Sequence, residues 1–498
     1  MSGMLERRTF VKGAAAAGLL GGAWTVGAAP AAAAVVTVQR AGPAHTVTPT
    51  LFGLNGNNIQ ARLRWDRADL GAAVAGLGPG TLRYPAGTVG NYWDWRSGWF
   101  QPNGPWPAQT DGTGAAIAPF DDSLTPYQAA LQRTGASAVL MLNMLTTKGR
   151  LATSADFSAM LLDQVQMLHA AQAAGITVSR VELGNELYLS GALAGTNGND
   201  YVTVFPSASA YAKQATTWAR SVRTAFPSAQ IAAVGADATG NSSPRREGWN
   251  DAVLAGVSGV SALTLHPYIR VSDASASAQS LLSLPYARVQ ALKGSELATL
   301  SSHGLSAWVT EFNMVDRTSS LTFAGTWTHG LFIAAYAILL AQVPTIAVIE
   351  LHNVVGDAVA GALFDSTAGF RAPTPATQFL APTAMGAAYS MVVQAARGAT
   401  TARSLAFSGG PTLSGGAPAL VGLELTGGAH HQAVVANLAT SGVTLSLTNL
   451  FSGAVGWSRT GADSLTTRVT GPSSLVTASG TATGQLSVPA HTVVRLSQ

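Results

Sequence analysis

The stretch SRVELGNELYLS, residues 179–190, begins as a strand and then stops. Val181 and Leu183 alternate with Glu182 and Gly184, and the run ends on the adjacent pair Asn185 and Glu186. Only 10% of the residues are charged, so a carboxylate at the end of an apolar run needs a physical reason. One reason is a parallel strand whose length lies in a core and whose C-terminal end opens onto a site.

Seven more runs have this character. They are LFGLNGN (51–57), GTLRYPAG (80–87), ASAVLMLNM (136–144), AQIAAVGAD (229–237), SALTLHPYI (261–269), SAWVTEFNM (306–314) and TIAVIELHN (345–353). Helical patterns lie between them. The clearest covers residues 153–175, with Thr153 or Ser154 as its cap and Gly175 beyond its end. Others cover residues 207–226, 284–304 and 326–342. Eight near-continuously apolar strands alternating with helices predict a (β/α)8 barrel over residues 49–397. The rival, a doubly wound open sheet, would want a glycine-rich phosphate turn after its first strand, and no G-x-G-x-x-G stands there.

From residue 398 the helical periods end. PALVGLEL (418–425), HQAVVANL (431–438), GVTLSLTN (442–449) and HTVVRLSQ (491–498) alternate with turn signals and predict an all-β sandwich over residues 398–498. His430 and His431 read as turn residues. A lone β-branched run opens residues 35–48, and we expect it to join that sandwich.

Residues 1–34 read as an export signal. Arg7 and Arg8, then Phe10 and Lys12, precede an Ala/Gly-rich run closed by small residues at 29–34. That pattern resembles a twin-arginine signal and predicts a periplasmic or extracellular bacterial protein. The rival, an N-terminal membrane anchor, would need about 20 predominantly apolar residues. Removing the segment's three cations and one acid lowers the formal net charge from +4 to +2. A near-neutral chain without clustered Lys and Arg does not point to nucleic acid, and no later run points to a membrane. The absence of cysteine excludes disulfides, thiolate metal sites and cysteine nucleophiles.

Polar residues gather at the C-terminal ends of the runs: Asn55 and Asn57, Arg83, Asn143, Asn185 and Glu186, His266 and Tyr268, Glu311 and Asn313, and His352. The ends of strands four and seven face each other across a barrel mouth, which pairs Glu186 with Glu311. Two carboxylates flanking one bond serve glycoside hydrolysis: one protonates the leaving oxygen, the other attacks the sugar carbon. Their environments must then differ, one ionised and one protonated. Arg83 would keep Glu311 ionised, Tyr268 would donate to the same carboxylate, and Asn185 would hold a sugar 2-hydroxyl.

The GNE ending of strand four and the TEF ending of strand seven resemble the signature of clan A retaining glycoside hydrolases. The resemblance makes Glu186 the acid/base and Glu311 the nucleophile, with Arg83 and the His266-Pro267-Tyr268 triplet in supporting positions. The layout is similar to the heparanase/β-glucuronidase family and, less closely, to the α-L-arabinofuranosidase and β-xylosidase families. LRYPAG (82–87) resembles the R-Y-P-G-G loop of the arabinofuranosidases, with Ala86 in place of the first Gly. These resemblances favour a β-glucuronidase or heparanase-like activity, with an arabinofuranosidase or xylosidase behind it. Arg270, Lys148 and Arg150 are candidate partners for a uronic acid.

The loop after strand two carries Tyr92, Trp93, Trp95, Trp99, Phe100 and Trp106. Trp93 and Trp95 are read as platforms for sugar rings; the alternative is a plug for the barrel rim. The expected partner is an oligo- or polysaccharide, with no cofactor and no metal, although His266 and His352 are a conceivable metal pair. Glu182 reads as a buried structural carboxylate, and Glu350 as either structural or substrate-facing. A reading of another class is a non-catalytic polysaccharide-binding protein that keeps the barrel and its aromatic groove.

Overall fold

The computed structural model describes residues 35–56, 63–100, 121–145, 153–189, 200–240, 243–355, 361–363 and 380–498. The export segment 1–34, Asn57, Trp106, Lys148 and Arg150 lie outside the described residues.

All eight expected strands form, and they close into a barrel. In order they are Phe52–Asn55, Thr81–Tyr84, Ser137–Leu142, Arg180–Leu183, Gln230–Val234, Ala262–Thr264, Ser306–Phe312 and Ile346–His352. Each pairs in parallel with the next, and the eighth pairs with the first through Leu351↔Leu54 and His352↔Asn55. Strand two is buried at all four of its positions, as are strands one and four, because helices cover the outside and side chains fill the inside.

Local sequence sets the helices. Thr153 caps the helix Ser154–Ala173: its hydroxyl accepts from the Asp156 N–H at 3.2 Å, and the Asp156 carboxylate accepts from the Thr153 N–H at 2.7 Å. The helix Trp327–Ala341 is buried at every position. It is apolar all round because it lies between the barrel and the C-terminal sheet. Trp327 Nε1 donates to the His491 carbonyl at 2.7 Å, and a Cβ on Gly330 would stand 2.6 Å from the Ala384 carbonyl oxygen of the neighbouring helix Ala384–Ala396.

The C-terminal strands form one nine-stranded sheet. Val455, near one end of the strand order, shares a core with Val443, Leu445, Leu486 and Val488 at the other end, so the sheet is folded over on itself as a sandwich. The strand Val35–Thr46 enters this sheet, antiparallel to Thr401–Ser408 and parallel to Val443–Ser446. Arg40 fixes it there with a 2.7 Å ion pair to Glu424. His430 and His431 open the strand His430–Asn437 instead of forming a turn, and His431 Nε2 stands 2.9 Å from Glu424 Oε1. Among the described residues, no helix is long and apolar enough to cross a membrane.

Candidate active site

The strand ends bring Glu186 and Glu311 to one place. Oxygens of the two carboxylates and a ring nitrogen of His266 all lie within 4.8 Å of one another. Glu311 is the penultimate residue of the buried run Ala307–Phe312, and its side chain is 5% exposed. Glu186 stands just past strand four at φ +47°, a left-handed conformation that is uncommon outside glycine, and its side chain is 15% exposed.

Arg83 organises the floor. Its Nη1 donates to Glu311 Oε1 at 2.6 Å. Nη2 donates to Glu182 Oε2 at 2.6 Å and to Asn185 Oδ1 at 2.8 Å, and Nε donates to Glu182 at 2.9 Å. One fully buried guanidinium thus holds the strand-four amide and the strand-seven carboxylate in register. The Tyr268 hydroxyl donates to the other Glu311 oxygen at 2.6 Å. His266 Nδ1 lies 3.2 Å from Glu186 and 3.6 Å from Glu311, aligned for a hydrogen bond with neither, while its Nε2 meets the Thr310 hydroxyl at 3.1 Å. His352 Nδ1 stands 3.8 Å from Glu311, with its ring edge-on to Tyr268.

Burial alone would raise both carboxyls. For Glu311 it is outweighed by His266, His352, Arg83 and the Tyr268 O–H, which hold the group well below the usual carboxylate range. For Glu186, burial and the charge of Glu311 are outweighed by His266 and Tyr188, so this carboxyl is lowered too. The expected contrast between an ionised and a protonated acid is therefore not built into these side chains alone. One floor down, Glu350 is sealed in the barrel, accepts from the Thr81 hydroxyl at 2.7 Å and is pushed up to about 8 by burial and then by Glu182. Its complete burial resolves the two readings of this residue in favour of a structural role, as expected for Glu182.

Several expected binding residues are used elsewhere. Trp93 is 4% exposed, edge-on to Tyr84 and Phe100, with Nε1 donating to the Tyr84 hydroxyl at 2.9 Å. Tyr92, Trp99 and Phe100 are buried as well, so this part of the loop plugs the rim; large rings gain more by burial than by facing water. Trp95 is half-buried under the Arg96 guanidinium, 4.2 Å from its ring centroid. Asn143 donates to the Trp93 carbonyl at 3.3 Å and accepts from the Leu145 N–H at 2.8 Å, so it holds backbone. Asn313 likewise donates to the His352 carbonyl and accepts from the Met314 N–H at 2.7 Å. Asn55 makes one long bond to the Thr310 carbonyl at 3.4 Å, and its Oδ1 has no donor among the described residues. The Asn185 Nδ2 is also buried and has no partner among the described residues, while its Oδ1 accepts from the Arg83 guanidinium that holds Glu311.

Three contributors escaped the sequence reading. The Tyr188 hydroxyl donates to Glu186 at 2.7 Å. Asn91 grips the Asn185 backbone from both sides, donating to its carbonyl at 2.8 Å and accepting from its N–H at 3.0 Å. Gly87, at φ +60°, brings backbone so close that a Cβ there would lie 3.9 Å from Glu311 Oε1. Tyr188 was available in the sequence as the aromatic two residues past Glu186, but the turn that swings it back has no periodic signal.

Fold and site together define a (β/α)8 barrel with two carboxylates at its mouth and an appended β-sandwich. No protein-family model matches the chain, and no curated protein matches it in sequence. Solved structures do match. A family 51 α-L-arabinofuranosidase from Bifidobacterium longum aligns at 16% identity over 92% of this chain and 99% of its own, with a TM-score of 0.70. The arabinose complex of an α-L-arabinofuranosidase from Thermotoga maritima aligns at 15% identity over 93% and 99%, with a TM-score of 0.67. A 4-O-α-L-rhamnosyl-β-D-glucuronidase from Fusarium oxysporum aligns at 14% identity over 93% and 100%, with a TM-score of 0.59. At these identities the likeness establishes the shared architecture.

Proposed function

We propose that this chain is a retaining O-glycoside hydrolase in which Glu311 is the nucleophile and Glu186 the acid/base. The observation that carries the reading is that one oxygen of each carboxylate lies within 4.8 Å of the other, a close approach of the kind a retaining pair makes. Retaining enzymes keep the pair about 5–5.5 Å apart, whereas inverting enzymes leave about 6.5–9.5 Å for a water. Glu311, ionised and fixed at both oxygens by Arg83 and Tyr268, attacks the anomeric carbon. Glu186 gives a proton to the departing oxygen, then takes one from the water that hydrolyses the glycosyl-enzyme. A glycosidic oxygen can only accept a hydrogen bond, so a bound substrate stabilises the protonated form of Glu186 against the donors that lower it. Asn185, whose Nδ2 has no partner among the described residues, would hold a sugar hydroxyl.

For the glycone, α-L-arabinofuranosides come first, because three structures bearing that name align with TM-scores of 0.65 to 0.70 and a fourth at 0.59. A β-glucuronide is the second reading, supported by the rhamnosyl-glucuronidase neighbour. Chromogenic α-L-arabinofuranosides, β-D-xylosides and β-D-glucuronides assayed together distinguish them. Glu311→Gln abolishes turnover on whichever is cleaved, and Glu186→Gln lowers it by about 10²–10⁴. Polysaccharide binding with no hydrolysis of any of the three would instead favour a non-catalytic binding protein. Glu186, His266 and Glu311 also have the spacing of metal ligands. Loss of activity in a chelator, restored by a divalent ion, would replace the two-carboxylate mechanism with a metal-assisted one.

A further inference from the structure

Three arginines stand on the Glu186 side of the mouth, and none has an acidic partner among the described residues. Arg270 and Arg317 lie on two short parallel strands, Ile269–Val271 and Met314–Asp316, where Arg270 pairs with Val315 and the Arg317 N–H donates to the Val271 carbonyl at 2.7 Å. Both side chains are exposed, and Arg270 follows Tyr268 by two residues. Arg246 comes from the loop after strand five. Its guanidinium lies 4.8 Å over the ring of Tyr188, the residue that donates to Glu186.

Glu247, next to Arg246, is exposed and makes no ion pair with any of the three among the described residues, and three other nearby acids are engaged elsewhere. Asp237 pairs with Arg288, Asp273 accepts from Ser275, and both Asp316 oxygens accept from residues 318–324. Burial first, then the charges of Arg246 and Arg317, lower Arg270, while Glu186 opposes them. Like charges gathered at a barrel mouth with no acidic partner among the described residues raise the local concentration of anions and favour an anionic occupant.

We propose that Arg246, Arg270 and Arg317 form a subsite for an anionic substituent, a carboxylate or a sulfate ester, on the leaving-group sugar. The assignment to the leaving-group side rests on the reading of Glu186 as acid/base; the anion site itself does not. It gives the substrate class that the fold leaves open: an acidic polysaccharide, whichever glycone is cleaved.

The test is binding, so that it stands apart from turnover. The full chain is titrated calorimetrically with an unsulfated uronate tetrasaccharide, its carboxyl-reduced counterpart, and a sulfated oligosaccharide lacking uronate. At least one charged ligand should bind about tenfold or more tighter than the neutral one, and which of the two does so names the anion. The advantage should shrink in high salt. Arg270→Gln/Arg317→Gln should remove it with unchanged thermal unfolding, and Arg270→Lys/Arg317→Lys should restore part of it. Equal affinity for charged and neutral ligands, or an advantage that survives the Gln pair, overturns the proposal. Charged-ligand preference in a protein that cleaves no glycoside would leave the anion site standing and remove the hydrolase reading.

Discussion

Replacing Glu350 by Gln should make the protein's stability less sensitive to pH, by an amount the barrel floor sets. Glu350 is completely buried, accepts one hydrogen bond from Thr81, and has no partner for its second oxygen among the described residues. Burial, then Glu182, push it up from an ordinary 4.5 to about 8, against the pull of Arg83. In the unfolded chain the group ionises near its ordinary value. Between pH 4.5 and 8 the unfolded state therefore sheds a proton that the native state keeps, and stability falls as pH rises. Each pH unit in that window is worth about 1.4 kcal/mol, so the native state loses about 3 kcal/mol by pH 7 and about 5 by pH 8. Glutamine has nearly the same shape and no proton to lose. Its amide can still accept from Thr81, and whatever its second group costs is the same at every pH. Urea unfolding of both proteins at half-unit steps from pH 4 to 8 measures the difference. The variant should gain on the wild type by about 1.4 kcal/mol per unit above pH 4.5, with no change below it. A difference that is constant across the series would mean that Glu350 is ionised in the native barrel. Arg83 would then face three carboxylates rather than two, and its hold on Glu311 would need a different account.

Two further outcomes follow from the site and the N-terminus. Tyr268→Phe removes the 2.6 Å donor to Glu311, a hydrogen bond to a charged group worth about 1.5–3 kcal/mol; kcat/KM should fall about 10- to 100-fold, and because the lost donor was lowering Glu311, the acid limb of the pH–rate profile should move up. An unmoved acid limb would show that Tyr268 does not tune this carboxylate. Fused to a reporter that folds before export, residues 1–34 should carry it across a bacterial membrane, and Arg7→Lys/Arg8→Lys should leave it in the cytoplasm; export that survives the pair would remove the twin-arginine reading.

Periodicity and chemistry were not equally legible in the sequence. The barrel could be read because parallel strands buried on both faces must be apolar for their whole length, and eight such runs between helical stretches leave few architectures. Its polar rim could be read for the complementary reason: Arg83, Asn185, Glu186, His266 and Glu311 interrupt apolar runs where nothing in the core would tolerate them. What the same logic misjudged was the purpose of a polar or aromatic side chain once placed. Asn143 and Asn313 also end apolar runs, yet their amides hold loop backbone, because a loop leaving a barrel has N–H and C=O groups that need partners as much as any substrate does. The rings of Trp93, Phe100 and Trp99 pack on one another under the loop, and only three-dimensional packing separates a plug from a platform. Ala86 shows the converse. It occupies φ +74°, a conformation in which glycine is unstrained, and it stands where the resembling loop has its first glycine. The motif position therefore encodes a backbone turn, and the turn persists here without the residue that usually marks it. Such a chain can keep the geometry of a site while its sequence drifts from every family pattern, since the geometry is fixed by Arg83, Asn91 and the strand register, and no local motif records those long-range contacts.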